Sequence, residues 1–233
     1  MTDRLSPGLW RLHVITDAEA SRGRSHLQVA EAAIAGGADV LQLRDKEAST
    51  GRLYREALQL RKLTRDAKVP YIVNDRLDIA LAVDADGLHV GQTDLPASVA
   101  RGIMGPGKIL GVSVETVEEA IQAEKDGADY LGVGPVFEAR GTKPDAGEPL
   151  GLDRIARIRR RCRLPIVAIG GITAENALKV REAGADGAAV ISAIVSADDI
   201  SRAARRLKRI LEGTDQQKGG IVHGASGTDP DRR

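Results

Sequence analysis

The stretch Ala35-Gly36-Gly37-Ala38-Asp39-Val40-Leu41-Gln42-Leu43-Arg44-Asp45-Lys46 holds a helix end, a turn, a strand and a knot of charge. Gly36-Gly37 stops the preceding helix, because glycine takes the left-handed turn at a helix end without the steric cost of a Cβ. The run 38–41 then reads as a buried strand. Side chains alternate across a strand, so Gln42, Arg44 and Lys46 share one face with Val40, while Leu41 and Leu43 point the other way. Two cations and an amide on one face of a buried strand are costly unless an anion meets them. Either nearby Asp and Glu pair with them as a structural network, or a ligand supplies the negative charge.

The same junction recurs. Lys125-Asp126-Gly127-Ala128-Asp129 and Glu182-Ala183-Gly184-Ala185-Asp186 also end a helix and launch a strand. Working outward, strands are predicted at 9–16, 38–46, 71–73, 87–92, 109–114, 130–137, 166–169 and 188–191. Helices are predicted between them. One spans 26–35, with Leu27, Ala30, Ala33 and Ile34 on one face, and the next spans about 51–67, with the stripe Leu53, Ala57, Leu60 and Leu63. Thr116 and Glu119 form a capping box for a helix to Lys125. Thr173 is expected to cap the seventh helix, and Ser196 with Asp199 the last, which ends near Leu211. Eight strand–helix units in one chain predict an α/β fold, a (β/α)8 TIM barrel, over residues 1–212. An open doubly wound sheet would carry a glycine fingerprint after strand one, and none is visible there. Residues 213–233 are rich in Gly, Asp and Gln and are expected to form a disordered tail.

Composition narrows the function. The chain has 233 residues, of which 42% are hydrophobic but only 2% aromatic, so Ala, Val, Ile and Leu must fill the core. Its 34 Lys plus Arg against 33 Asp plus Glu give a net charge of +1, which argues against a nucleic-acid or membrane surface. The single Cys162 excludes an internal disulfide and any thiolate zinc cluster. No apolar run is long enough to span a bilayer and no signal-peptide core is present, so a cytoplasmic location is expected.

In such a barrel, active groups gather at the C-terminal strand ends. Those ends are polar here: Asp17, Lys46, Asn74-Asp75, Asp94, Ser113 and Thr142-Lys143. Asp75 and Asp94 end neighbouring strands, where two carboxylates repel unless a proton or a cation joins them. A few oxygen ligands left open to water and phosphate suit Mg2+. The structural alternative pairs Asp75 with Arg76 and makes Asp94 a cap for the next helix. Gly170-Gly171 and Ile191-Ser192 end strands seven and eight, the usual barrel phosphate site. Two anion sites at one mouth imply group transfer between two phosphorylated ligands, with metal and cations stabilising a departing diphosphate.

Val14-Ile15-Thr16-Asp17, Gln42-Leu43-Arg44-Asp45-Lys46, Asn74-Asp75-Arg76, His89-Val90-Gly91-Gln92-Thr93-Asp94 and Gly132-Val133-Gly134-Pro135-Val136-Phe137 occur in that order. Thr142-Lys143-Pro144-Asp145-Ala146-Gly147, Ala168-Ile169-Gly170-Gly171-Ile172 and Val190-Ile191-Ser192-Ala193-Ile194 follow. Together, over roughly 9–211, they resemble the thiamine-phosphate synthase family. The resemblance implies a (β/α)8 transferase that joins hydroxymethylpyrimidine diphosphate to a thiazole phosphate, releasing pyrophosphate. It implies small-molecule substrates and Mg2+ on Asp75 and Asp94. The pyrimidine diphosphate would be held by Gln42, Arg44, Lys46, Asn74, Ser113 and Lys143, with Leu43 and Asp45 in the same binding stretch. Arg44, Lys46, Ser113 and Lys143 would carry catalysis. Thr142, Gly170, Gly171, Ile191 and Ser192 would hold the thiazole phosphate. The family ionises the diphosphate to a carbocation, in keeping with the lack of an obvious general base. His89 belongs to the motif but could equally pack behind strand four. The family's Pro-Thr-x-Thr-Lys is replaced here by a loop one residue longer, Glu138-Ala139-Arg140-Gly141-Thr142-Lys143. Ala139 lacks a hydroxyl, which leaves Arg140 or the Gly141 N–H for that contact.

Two other readings use the same residues. A thiazole-phosphate tautomerase would need no diphosphate site, and a regulatory barrel would bind phosphorylated ligands without turnover.

Overall fold

A computed structural model describes residues 10–138 and 148–213. In chain order the elements are β1 (Leu12–Thr16), α1 (His26–Ala35), β2 (Val40–Leu43), α2 (Thr50–Ala67), β3 (Tyr71–Asn74), α3 (Leu77–Ala82), β4 (Gly87–Val90) and α4 (Ala97–Met104). Then follow β5 (Ile109–Val114), α5 (Val117–Lys125), β6 (Tyr130–Val133), α6 (Gly151–Arg159), β7 (Ile166–Ile169), α7 (Ala177–Glu182), β8 (Gly187–Val190), α8 (Ser192–Val195) and α9 (Ile200–Glu212). The strands are all parallel and close in sequence order, β1 pairing with both β2 and β8. This is the (β/α)8 barrel. The predicted single domain 1–212 and the tail reading both extend beyond the described residues.

The recurring junction has a structural purpose beyond its glycine. Gly37, Gly127 and Gly184 take φ of +95°, +86° and +106°, the left-handed turn expected. The aspartate two residues on reaches back to the start of the preceding strand. Asp39 Oδ2 accepts from Leu12 N at 2.8 Å, Asp129 Oδ2 from Leu110 N at 2.7 Å and Asp186 Oδ2 from Ile166 N at 2.8 Å. A fourth copy lies at Asp84-Ala85-Asp86, where Asp84 takes the turn at φ +52° and Asp86 Oδ2 accepts from Tyr71 N at 2.9 Å. Asp and Asn tolerate this region better than other residues with a Cβ, so the copy survives without its glycine. Each aspartate also pairs with a cation: Lys208, Arg61, Arg101 and Arg159 respectively bind Asp39, Asp86, Asp129 and Asp186. These four clasps sit at the bottom of the barrel, away from the mouth, and lock the odd strands to the even ones.

Helix starts follow local chemistry. Thr116 and Glu119 form the predicted capping box of α5. Ser25 and Gln28 form a second box on α1. Ser25→Ala should cost about 1 kcal/mol of stability, read as a lower urea midpoint, with turnover unchanged. Two predicted caps are corrected. Asn176, not Thr173, is the N-cap of α7, because residues 173–176 form a turn in which Asn176 Oδ1 accepts from Thr173 N at 2.8 Å. Asp199 caps α9 without Ser196, whose Oγ instead donates to Ala20 O at 2.9 Å. The short helix α8, which the sequence reading passed over, lies between β8 and α9 in the chain.

Aliphatic side chains fill the layer between strands and helices, as the composition requires: Leu41, Leu43, Leu60, Leu88 and Leu131 are fully buried or nearly so. Cys162 is buried among them. The barrel interior is more polar than is usual for such folds, where branched aliphatics dominate. His13, Gln42, His89 and Tyr130 all point inward. No helix among the described residues is long and apolar enough to cross a membrane.

Candidate active site

A cavity of about 320 Å3 opens at the C-terminal ends of the strands. The alternation read from the sequence holds on β2: Gln42, Arg44 and Lys46 line the cavity. Asn74 from the end of β3, Asp75 just after it, Asp94 from beyond β4 and Ser113 from β5 join them. Gly170, Gly171, Ile191 and Ser192 line the opposite wall. Leu43 and Asp45 do not. Leu43 is buried against the helices, and the Asp45 carboxylate turns away from the mouth to accept the N–H groups of Glu47 and Ala48, each at 3.0 Å. Arg140, Gly141, Thr142 and Lys143 lie outside the described residues.

Arg44 is buried and its Nη1 donates to Asp17 Oδ2. The other oxygen of Asp17 accepts from Ala20 N at 2.9 Å, so the carboxylate is fixed by the loop after β1. The structural pairing anticipated for the basic face therefore exists for Arg44, yet one ion pair engages only part of a guanidinium that has five donors. The remainder of the group faces the cavity beside Lys46.

The structural alternatives for the two mouth aspartates do not form. Arg76 pairs with Asp78 at 2.6 Å and with Thr50 at 3.0 Å rather than with Asp75. Asp94 leaves α4 without a side-chain cap and accepts instead from Gly91 N at 2.7 Å, closing a tight turn after β4. Asp75 adopts φ +60°, a left-handed conformation that Asp tolerates better than most residues with a Cβ, and its N–H donates to His89 O at 2.8 Å. This backbone twist puts its carboxyl against that of Asp94.

The electrostatic consequence is a carboxyl that keeps its proton to a higher pH than an ordinary aspartate. Burial, then a hydrogen bond and repulsion from Asp94, push Asp75 up to about 6 from its ordinary 3.8, against the pull of Lys46 and Arg44. A group raised in the folded state binds protons there that the unfolded chain has already released. Its contribution to stability is thus complete below 3.8 and lost as pH rises through about 6. The metal-free protein should therefore gain thermal stability on acidification across that window, and Asp75→Asn should flatten the gain. Equal pH slopes for the two chains in chelator would contradict the coupling.

His89 lies inside the barrel, not behind its strand. Its Nε2 is 2.8 Å from Ser113 Oγ and its Nδ1 is 2.9 Å from Tyr130 Oη. Tyr130 in turn shares a hydrogen bond with Gln42. Ser113 and Gln42, on opposite sides of the cavity, are thereby joined through a His–Tyr bridge that fixes both. Gly111 makes room for it, since a Cβ there would meet Tyr130 Cζ at 2.2 Å and His89 Nδ1 at 2.4 Å. Burial keeps the Tyr130 phenol protonated. It also lowers His13, on the cavity floor, to about 3, so that imidazole is neutral.

The sequence reading missed Tyr130, Gln92 and Glu115 as lining residues. Glu115 stands two positions after Ser113, so the same alternation rule extended past the strand end would have found it. Gln92 donates from Nε2 to Ser113 O at 2.7 Å and ties the β4 and β5 ends together. On the far wall, Gly170 and Gly171 have φ of +96° and +62°. A Cβ on Gly171 would lie 2.6 Å from Glu138 O, so close packing of the loop after β6 also demands glycine there.

The family described as "Thiamine monophosphate synthase" matches residues 12–194. A thiamine-phosphate synthase of Chloroflexus aurantiacus is 59% identical over 208 residues, covering 89% of this chain and 95% of that one. One from Moorella thermoacetica is 54% identical over 202 residues, covering 87% of this chain and 96% of its own. Among solved structures, a thiamine phosphate pyrophosphorylase from Pyrococcus furiosus superposes with a TM-score of 0.82 at 42% identity, covering 89% of this chain and 98% of that one.

Proposed function

The chain belongs to the thiamine monophosphate synthase family, and from that membership we propose how its cavity makes thiamine phosphate. The activity is that of a transferase of thiamine biosynthesis, acting on small molecules. The substrates are a hydroxymethylpyrimidine diphosphate and a thiazole phosphate. The tautomerase and regulatory readings give way, because relatives more than half identical over nearly their whole length carry the synthase name.

The observation that carries the mechanism is the convergence of Arg44, Lys46, Asp75 and Asp94 on one side of the cavity. Mg2+ fits there: two crowded carboxyls, one pushed up by burial and by the other, are the oxygen donors a small hard cation prefers. Held by Asp75 and Asp94, the ion would neutralise charge developing on the departing diphosphate. Arg44 and Lys46 bind the diphosphate oxygens and draw off the same charge. The bond between the pyrimidine methylene and its oxygen breaks, and the electron pair leaves with the diphosphate. The thiazole nitrogen then donates its lone pair to the methylene carbon.

Gln42 and Ser113, held by the His89–Tyr130 bridge, position the pyrimidine diphosphate. The Gly170-Gly171 and Ile191-Ser192 ends hold the thiazole phosphate on the facing wall, so nucleophile and electrophile meet without side-chain base catalysis. Asn74 and Lys143 complete the diphosphate contacts, and Thr142 with Arg140 or the Gly141 N–H those to the thiazole phosphate. A two-substrate assay should release pyrophosphate with Mg2+ and lose that release in chelator. Undiminished release in chelator would overturn the metal assignment.

A further inference from the structure

We propose that His26, Asp45 and Glu56 form a second divalent-metal site, separate from the mouth, that takes one first-row transition ion such as Zn2+ and pins the end of β2. The three residues come from the first position of α1, the β2–α2 loop and the second turn of α2. None of them lines the active-site cavity.

Each residue has one polar atom already engaged. His26 Nδ1 is 2.8 Å from Thr16 Oγ1. Asp45 Oδ1 accepts two backbone N–H groups. Glu56 Oε1 accepts from Arg52 Nε at 3.0 Å. The three atoms left over turn toward a common point and lie within 4.8 Å of one another. His26 Nε2 is 3.4 Å from Asp45 Oδ2 and 3.8 Å from Glu56 Oε2. The first is a long hydrogen bond and the second lies beyond hydrogen-bond reach. They are close to the edge of a tetrahedron around an ion with ligands at 2.0–2.1 Å, roughly 3.4 Å.

Burial strengthens the case. The His26 and Asp45 side chains are only 4% and 3% exposed. Glu56 Oε2 is buried with no hydrogen-bond partner, although it points at the imidazole. A buried acceptor left unsatisfied costs stability, and a cation between the carboxylates and the ring nitrogen removes that cost. Thr16 fixes the imidazole from behind, as outer partners of metal-bound histidines do. One nitrogen with two carboxylate oxygens suits Zn2+ and its neighbours, whereas the all-oxygen pair at the mouth suits Mg2+. Arg52 Nη2 lies 3.8 Å from Asp45 Oδ2, but that side chain is 56% exposed, and an ion entering past Glu56 would displace only this long contact while Arg52 Nε keeps its bond to Glu56 Oε1. Because Asp45 sits between Arg44 and Lys46, an ion here ties down the strand end that carries both cations.

The test uses the full chain carrying Asp75→Asn, so that the mouth does not compete, stripped with chelator and titrated calorimetrically with Zn2+. One equivalent should bind, and Co2+ in its place should give a tetrahedral visible spectrum. Adding Glu56→Gln or His26→Ala should weaken binding by at least about 100-fold. If His26→Ala fails to fold, the near-isosteric Glu56→Gln carries the comparison alone. Absence of stoichiometric binding, or equal binding with and without Glu56→Gln, would mean that the cluster is only an ion-pair network with Arg52, and the proposal fails.

Discussion

Asp75→Asn should lower magnesium-dependent turnover by about 10²–10³-fold while the barrel stays folded. Asp75 sits at φ +60°, where Asp and Asn are tolerated and other side chains pay for the clash of Cβ with the following carbonyl. Asn keeps both the shape and the backbone preference and removes only the charge. It also relieves the repulsion from Asp94 that, after burial, raises the Asp75 carboxyl. Stability should therefore hold or rise even as the ion and the turnover are lost. Asp75→Ala should lose the same activity and, in addition, about 1–2 kcal/mol of stability, because alanine cannot adopt the left-handed region as cheaply. Pyrophosphate release across a Mg2+ titration, with urea midpoints for both variants, measures the two effects separately. An Asn chain within threefold of the parent, still sensitive to chelator, would remove Asp75 from the metal.

That left-handed aspartate marks where sequence reading runs out. Alternation along β2 was enough to put Gln42, Arg44 and Lys46 on one inward face, because period two follows from strand geometry alone. The three glycine junctions were legible for the same reason, since their turns depend on a residue type. The fourth was not: Asp84 takes the glycine's place at φ +52°, and a pattern keyed to glycine passes over it. The role of the clasp aspartates was hidden as well, because Asp39 and Leu12 are joined only once the sheet is assembled. Asp45 misled for a related reason. It lies inside the motif that carries the resemblance, yet it falls on the outward parity with Leu43, and the loop N–H groups take its carboxylate. The His89–Tyr130 bridge spans from β4 to β6, and nothing local to either strand signals the other. Polar groups at strand ends were therefore readable, whereas their partners across the barrel needed the closed sheet.

On the proposed mechanism Arg44 serves both fold and chemistry, and its replacement should separate them. The ion pair with Asp17 has side-chain exposures of 9% and 8%. Arg44→Met leaves the Asp17 carboxylate buried without its partner, at a cost of about 3–5 kcal/mol. If Arg44 binds the departing diphosphate as proposed, the change also removes that cation, so turnover should fall by about 10²-fold or more in the molecules that remain folded. Arg44→Lys keeps one charge but loses the planar fork, and a single ammonium cannot face Asp17 and a diphosphate in the same way. It should retain most of the stability and still lose much of the turnover. Pairing Asp17→Asn with Arg44→Met removes both buried charges, so the double variant should recover much of the lost urea resistance and none of the activity. If the double variant regained turnover along with stability, Arg44 would matter only through the fold. If stability returned alone, the guanidinium acts on the diphosphate directly, and Asp17 serves to hold it at the angle from which it can do so.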